Sequence, residues 1–232
     1  MAQPLALIVG VGTGLSAALA RRFAEAGYRP VLAARDAGKL APLAAETGAA
    51  TARCDAADPA SVAALFAGLE APPRVVVYNP SARVRGPIAE VDPAEVRKAL
   101  DVTAFGAFLT GQAAARAMLA AAPQDGIRGT ILFTGASAGV KGYPQSASFA
   151  MGKFASRGLA QSMARELHPQ GIHVAWINID GMIRNPGRVE PTEAPDSMLD
   201  PDAIAQTYLA LVEQPRSAWS EEISVRPWVE KF

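Results

Sequence analysis

The sequence predicts an α/β fold: one doubly wound parallel sheet of about seven strands with helices on both faces, built by residues 1–232 as a single domain. Three observations point there. Apolar runs of strand length alternate to the end with alanine-rich stretches of helical length. The strands are continuously apolar rather than alternating, as in Arg74 to Tyr78 (RVVVY), so they are buried on both faces, as in a parallel sheet. The chain shows neither internal repeat nor linker, and 232 residues suffice for one substantial core.

Leu5 to Val9 reads as the first strand. Gly10, Gly12 and Gly14 follow at alternate positions, and then an amphipathic helix pattern with Leu15, Leu19 and Phe23. This order sets the free N–H groups and positive dipole end of a helix beside a glycine backbone that a ligand can approach, which favours phosphate. A glycine turn needed only for geometry would read the same way. Here, however, a second strand, Arg29 to Ala34, follows about twenty residues on, the context of a dinucleotide site. Ala50 to Cys54, Arg74 to Tyr78, Gly129 to Thr134, Ile172 to Asn178 and Ile223 to Arg226 complete the strands. Asp58-Pro59, Asp92-Pro93 and Asp200-Pro201 each place an N-cap acceptor before a proline at the first helical position, and Asp92 with Glu95 has capping-box spacing. The one long irregular stretch, Asp180 to Leu199, follows the sixth strand at its carboxyl end, where open α/β sheets bind ligands.

Twenty-two basic residues balance 22 acidic ones, so there is no electrostatic case for nucleic acid or an anionic membrane. A single cysteine, Cys54, excludes an intrachain disulfide and a multi-cysteine metal site, and no metal is expected. No apolar run has the length of a membrane span, and MAQPLALIVG reads as the first strand rather than a leader; a cytoplasmic protein is expected. After the second strand stand Ala33-Ala34-Arg35. An acidic residue there would bond a ribose 2′-hydroxyl, whereas a small residue followed by arginine suits a 2′-phosphate, with Lys39 to assist, unless Arg35 is simply a solvated side chain. NADP(H) is favoured over NAD(H) on this ground. Asp55 either accepts from the adenine amino group or caps a turn, and Asn79-Pro80-Ser81 stands at the mouth of the same crevice.

These pieces, in this order, resemble the short-chain dehydrogenase/reductase superfamily over nearly the whole chain, which implies a Rossmann fold and an NAD(P)-dependent oxidoreductase. Val9 to Ser16, with Thr13 and Leu15, is similar to the TGxxxGxG cofactor motif: Gly10 and Gly14 are kept, Val9 replaces the threonine and Ser16 the third glycine. The resemblance makes Asp55, with Ala56 beside it, the adenine-contacting aspartate. Asn79 alone is retained from NNAG, with Pro80 and Ser81 in place of its last residues. Gly181 matches the glycine of the PG pair, and Ile183 takes the position that binds the nicotinamide amide.

The family's catalytic tetrad is Asn, Ser, Tyr and Lys. Its lysine matches as Lys153, in Phe149-Ala150-Met151-Gly152-Lys153, which puts Phe149 at the tyrosine, Ala136 at the serine and Thr103 at the asparagine. Phenylalanine keeps the ring but cannot transfer a proton, and a lost general acid costs ~10²–10⁴-fold. Alanine removes a donor that polarises a carbonyl. Lys153 can still hold the nicotinamide ribose. Ser137 and Tyr143 are the candidates to stand in, with Ser146 at the position where the divergent enoyl-acyl-carrier reductases carry their tyrosine; a loop hydroxyl bonded to backbone or water is the alternative for each. His168 and His173 read as structural.

The resemblance thus implies an NADP(H)-dependent oxidoreductase acting on a small carbonyl, alcohol or activated alkene. The alternative is a catalytically inactive dinucleotide-binding protein, a redox sensor or assembly subunit. It further implies a homodimer or homotetramer paired through helices from Asp101 to Ala121 and from Ser146 to His168. Residues 181–199 are expected to form a substrate loop. The aromatic C-terminal segment 219–232, with Trp219, Trp228 and Phe232, is expected to dock on a neighbouring subunit or the pocket rim.

Overall fold

The computed structural model describes residues 3–230. The strands are, in chain order, β1 (Leu5–Val9), β2 (Arg29–Ala34), β3 (Ala50–Arg53), β4 (Val75–Tyr78), β5 (Gly129–Thr134), β6 (Ile172–Ile179), β7 (Met182–Ile183), β8 (Met198–Leu199) and β9 (Glu222–Val225). Seven form a single sheet in the order β3-β2-β1-β4-β5-β6-β9, and every pairing in it is parallel. The helices are α1 (Leu15–Glu25), α2 (Ala41–Thr47), α3 (Pro59–Ala67), α4 (Pro93–Leu100), α5 (Gly106–Ala120), α6 (Ala147–Leu167) and α7 (Pro201–Val212). The expected strands are all present; the third stops one residue early, the sixth extends to Ile179 and the last begins at Glu222.

Two cores follow from the alternation of side chains along buried strands. Leu5, Leu7, Val9, Val76 and Tyr78 pack with Val62 and Leu65 of α3, Ala107, Ala114 and Met118 of α5, and Ala160 and Ala164 of α6. Ala6, Ile8, Val75 and Val77 face the other way, onto Leu15, Leu19 and Phe23 of α1 and Ile204 and Tyr208 of α7. Each fully buried aliphatic chain contributes roughly 1.5–3 kcal/mol, so a β1 shifted by one residue would exchange its two apolar faces between helix sets of different shape.

The Asp-Pro helix starts form as the sequence indicates. Asp58 accepts from the N–H of Ala60 and Ser61, Asp92 from Ala94 and Asp200 from Asp202. The capping box at Asp92 is not made: Asp92 accepts from Ala94 rather than Glu95, and the Glu95 carboxylate accepts from Lys98 Nζ at 2.7 Å. The helix expected to start at Asp101 is the second half of a continuous run from Pro93 to Ala120, with residues Asp101–Phe105 as a π turn between α4 and α5. Tyr78 accounts for the irregularity. Its hydroxyl donates to the Val102 carbonyl, and Gly106 leaves room for it, since a Cβ there would collide with Tyr78 Oη and the Ala56 carbonyl. Burial drives the Tyr78 phenol pKa far above its ordinary value, so it acts as a neutral donor.

The stretch expected to be wholly irregular has a built base: β7 and β8 pair in parallel, and Asn185 and Arg188 bridge across Pro186-Gly187 at its tip. Among the described residues, no helix is long and apolar enough to cross a membrane, and no group of three or more His, Cys, Asp or Glu side chains is placed to hold a metal ion.

Candidate functional site

A cavity of about 850 Å³ opens at the carboxyl ends of the strands, where the order reverses between β1 and β4. Such switch points are where doubly wound sheets bind ligands. Gly10, Gly12, Thr13, Arg35, Asp55, Ala56, Asn79, Pro80 and Ser81 line it, together with Ala82, Val102 and Pro186. Gly10 has φ +82°, and a Cβ there would lie 2.5 Å from Pro80. At Gly12 an added Cβ would meet nothing within 4 Å, so the backbone is open to the cavity. The turn is held from both sides. The N–H groups of Gly10 and Val11 donate to the Ala33 carbonyl, while Ser16 Oγ donates to the Gly10 carbonyl at 3.1 Å. Asn79 Nδ2 in turn donates to Ser16 Oγ at 2.7 Å. The residue standing for the third glycine is therefore a working part of the turn.

Several predicted contacts lie outside the cavity wall. Gly14 is the N-cap of α1, and a Cβ on it would touch Asn185 at 3.4 Å; Leu15 is buried in the first turn of that helix. Gly181 lies against Pro227, and Ile183 is in β7. Asn185 and Pro186 bring the tip of the 181–199 stretch over the glycine turn, a proximity that no local signal in the sequence shows. Asp55 does what its turn reading requires, accepting from Ala57 N at 3.1 Å, while also facing the cavity. At the far wall Arg21 is paired with Glu46 at 2.6 Å and Lys39 with Asp36 at 3.3 Å. Arg35 is exposed and, among the described residues, has no carboxylate within 4 Å.

The tetrad positions gather beyond β4 and β5. Thr103, buried in the π turn, accepts from Ala82 N at 2.9 Å. Ala136 precedes a short 3₁₀ turn, Ser137–Gly139, whose backbone lies against the Trp176 indole. The Ser137 hydroxyl is half-buried and has no hydrogen-bond partner among the described residues. Tyr143 is exposed, with Lys141 Nζ 5.6 Å from its ring. Phe149 is half-buried, with Arg83 Cζ at 5.1 Å and Lys153 Nζ at 5.8 Å from its ring centroid. Ser146 Oγ accepts from Arg83 Nη2 at 2.5 Å. Arg83 gave no signal in the sequence, because its partners lie some sixty positions away, on another element.

Lys153 is only 3% exposed, and Nζ donates to the Thr134 carbonyl at 2.6 Å. Thr134 Oγ1 shares a hydrogen bond of 2.9 Å with the buried Tyr208 hydroxyl. Burial pushes the Lys153 pKa down to about 8. At the opposite end of the sheet, His173 stacks on Trp219 at 4.9 Å and its Nε2 donates to the Ser220 carbonyl; His168 accepts from Val174 N. Trp219 is half-buried within its own chain, stacked on His173 and in a T-shaped contact with His168. Trp228 is exposed and donates to Asp196 of the long loop at 3.2 Å; Phe232 lies outside the described residues.

The fold and this switch-point cavity define a dinucleotide-binding oxidoreductase scaffold. The sequence profile of the short chain dehydrogenase family matches residues 4–197, and the chain belongs to that family. Sorbitol-6-phosphate 2-dehydrogenase of Escherichia coli (strain K12) is 26% identical over 217 residues, covering 88% of this chain and 82% of the relative. A solved short-chain dehydrogenase from Rhodopseudomonas palustris is 35% identical, covers 97% of this chain and 99% of its own, and superposes with a TM-score of 0.82. A metagenomic short-chain oxidoreductase in complex with NADP is 28% identical, covers 98% of each chain and has a TM-score of 0.83. The family binds nicotinamide dinucleotides.

Buried Lys153 makes a testable contribution to stability. Its folded pKa lies below the ordinary 10.5, so the unfolded chain binds more protons between pH 8 and 10.5 and stability rises with pH across that window. Below pH 8 the full penalty of the charged amine is present, on the order of 3 kcal/mol. Lys153→Met is expected to raise the unfolding free energy at pH 7 by about 2 kcal/mol, after loss of the Thr134 hydrogen bond, and to flatten the rise above pH 8. Urea denaturation at a series of pH values checks this; a variant less stable than wild type at pH 7 would contradict it.

Proposed function

We propose that the chain is an NADP(H)-dependent oxidoreductase acting on a small carbonyl, alcohol or activated alkene. The observation that carries the reading is Arg35: a guanidinium on the cavity wall that no carboxylate neutralises among the described residues, where its neighbours Arg21 and Lys39 are both paired. A planar cation in that place suits a 2′-phosphate. The open backbone at Gly12 and the free N–H groups at the start of α1 suit a pyrophosphate, and Asp55 with Ala56 suits the adenine. The 28%-identical oxidoreductase solved with NADP supports the same choice. When bound, the cofactor supplies the hydride.

The chain's own residues set what accompanies it. Phe149 shapes the pocket and keeps water from its ring face without giving a proton. Ser137, whose hydroxyl is unspent, donates a hydrogen bond to the substrate oxygen in place of the residue absent at Ala136. Lys153, with its pKa near 8, keeps donors beyond the one given to Thr134 and directs them at the cofactor ribose.

Calorimetric titration is expected to show NADPH binding more tightly than NADH, with Arg35→Ala weakening NADPH by roughly 10–100-fold and leaving NADH unchanged. Binding of neither dinucleotide would overturn this reading; tight NADPH binding without turnover of any substrate would favour the inactive dinucleotide-binding alternative. Phe149→Tyr is expected to raise carbonyl reduction by about 10²–10⁴-fold in an NADPH-oxidation assay; an unchanged rate would mean that the proton comes from another group.

We also propose that two copies pair through α5 and α6. Phe105 and Phe108 at the start of α5, and Met151 and Phe154 on α6, are 41–52% exposed, an apolar surface that a single chain leaves in water. Sedimentation is expected to give a dimer or tetramer for wild type and a monomer for Phe154→Glu. A monomeric wild type would end the proposal.

A further inference from the structure

Ala82, Arg83 and Val84 follow the cavity wall, and each is fixed by a different buried hydroxyl. Thr103 Oγ1 accepts from Ala82 N at 2.9 Å, Ser146 Oγ from Arg83 Nη2 at 2.5 Å, and Ser148 Oγ from Val84 N at 3.0 Å while donating back to the Val84 carbonyl. The three hydroxyls are 1%, 2% and 3% exposed. Polar groups are buried at a cost unless they make hydrogen bonds, and here all three are spent on positioning one three-residue segment. The segment holds an arginine over the face of Phe149, the ring at the place of the missing phenol.

Arg83 is itself exposed, and its guanidinium has used one of five donors. Among the described residues no carboxylate lies within 4 Å of Arg83 or of Arg85, and the charge that acts on Arg83 is the like charge of Arg85. Arg21, Arg97 and Arg184 are exposed and paired with carboxylates, whereas Arg83, like Arg35, Arg53 and Arg188, is exposed without such a pair among the described residues. An oriented guanidinium with a second cation near it, free donors and no counter-ion is organised for an anion that comes from outside.

We propose that Arg83 binds an anionic group of the substrate, so that the oxidoreductase proposed above acts on molecules carrying a carboxylate or phosphate near the reacting carbon. This deepens the reading of the same site and rests on it. The rigid segment fixes where the anion sits, and the neighbouring residue Ala82 lies on the cofactor cavity, so the anion is placed at the edge of the reaction centre rather than at the Arg35 end. The planar fork matches a carboxylate in two parallel hydrogen bonds, which orients the substrate as well as attracting it. That orientation supplies part of what the lost tyrosine hydroxyl would have fixed.

The test is calorimetric titration of the protein with oxamate, a small carboxylate, and separately with inorganic phosphate, each with and without saturating NADP. At least one anion is expected to bind wild type, and the tighter of the two identifies the source of the charge. Arg83→Met is expected to weaken that binding by about 10–100-fold, and Arg83→Lys, which keeps the charge without the fork, by an intermediate factor, with NADP affinity unaltered in both. Absence of binding by both anions to wild type, or equal binding by wild type and both variants, overturns the proposal. Anion binding that depends on Arg83 in a protein that takes no NADP would sustain the anion site and refute the cofactor reading, so the two failures are separable. If Arg83→Met does not fold, Arg83→Lys alone decides, since an unchanged affinity there removes the bidentate contact.

Discussion

The Gly10 carbonyl is the point from which the carboxyl edge of the sheet is hung. Gly10 leaves β1 at φ +82° with Pro80 where a side chain would be, and its oxygen accepts the Ser16 hydroxyl, which Asn79 holds in turn. Three segments that are far apart in sequence thus meet at one peptide: the end of β1, the first turn of α1 and the loop after β4. The loop after β4 then runs through Pro80 and Ser81 to the three hydroxyl-bound residues from Ala82 to Val84. A change in the direction of the first turn would be carried along that loop to Arg83, because no flexible linker separates them. The cofactor cavity and the tetrad region are mechanically one object.

Past that loop stands an aromatic ring that has no hydroxyl, Phe149. Arg83 Cζ and Lys153 Nζ lie 5.1 Å and 5.8 Å from the Phe149 ring centroid, and Thr103 is committed to the backbone of Ala82. The Lys153 amine reaches inward to the Thr134 carbonyl, next to the Thr134–Tyr208 hydrogen bond. The low pKa of Lys153 and the raised pKa of Tyr208 have the same origin, burial, which penalises the charged form of each. With its pKa near 8 Lys153 is still charged at neutral pH, so it adds to the positive charge of Arg83 and Arg85 at this end.

The fold was legible because its determinants are local or repetitive. Doubly buried strands such as β4 show as unbroken apolar runs, and Asp-Pro pairs mark helix starts with a geometry that needs no tertiary partner. The glycine turn and Arg35 could be placed on the cavity from their spacing after β1 and β2 alone. What escaped depends on contacts between distant segments. Tyr78 reads as one more apolar strand residue, and nothing before Val102 says that its hydroxyl will open a π turn there. Ser16 reads as a defect in a glycine motif until Asn79 is seen beside it. Arg83 gives no signal until Ser146 and Phe149 are brought beside it, and the contacts of Trp219 with His173 and His168 likewise join segments far apart in sequence.

The parallel pairing of β7 with β8 has a consequence for how such a protein diversifies. The excursion from Arg184 to Ser197 leaves and rejoins the fold at a closed neck, two residues wide on each side, while Met198 and Leu199 remain anchored in the core. Because the ends are already held together, lengthening the excursion adds little entropic cost, about 0.6 kcal/mol for each doubling. Apart from Arg184, Asn185 and Glu190, which bond or pack on Asp200, Gly14 and Met198, its composition can change with little effect on the sheet or on the helix that starts at Pro201. The neck separates a part of the gene under strict packing constraint from a part free to explore, and it sets that boundary beside the cavity where a new substrate preference would be selected.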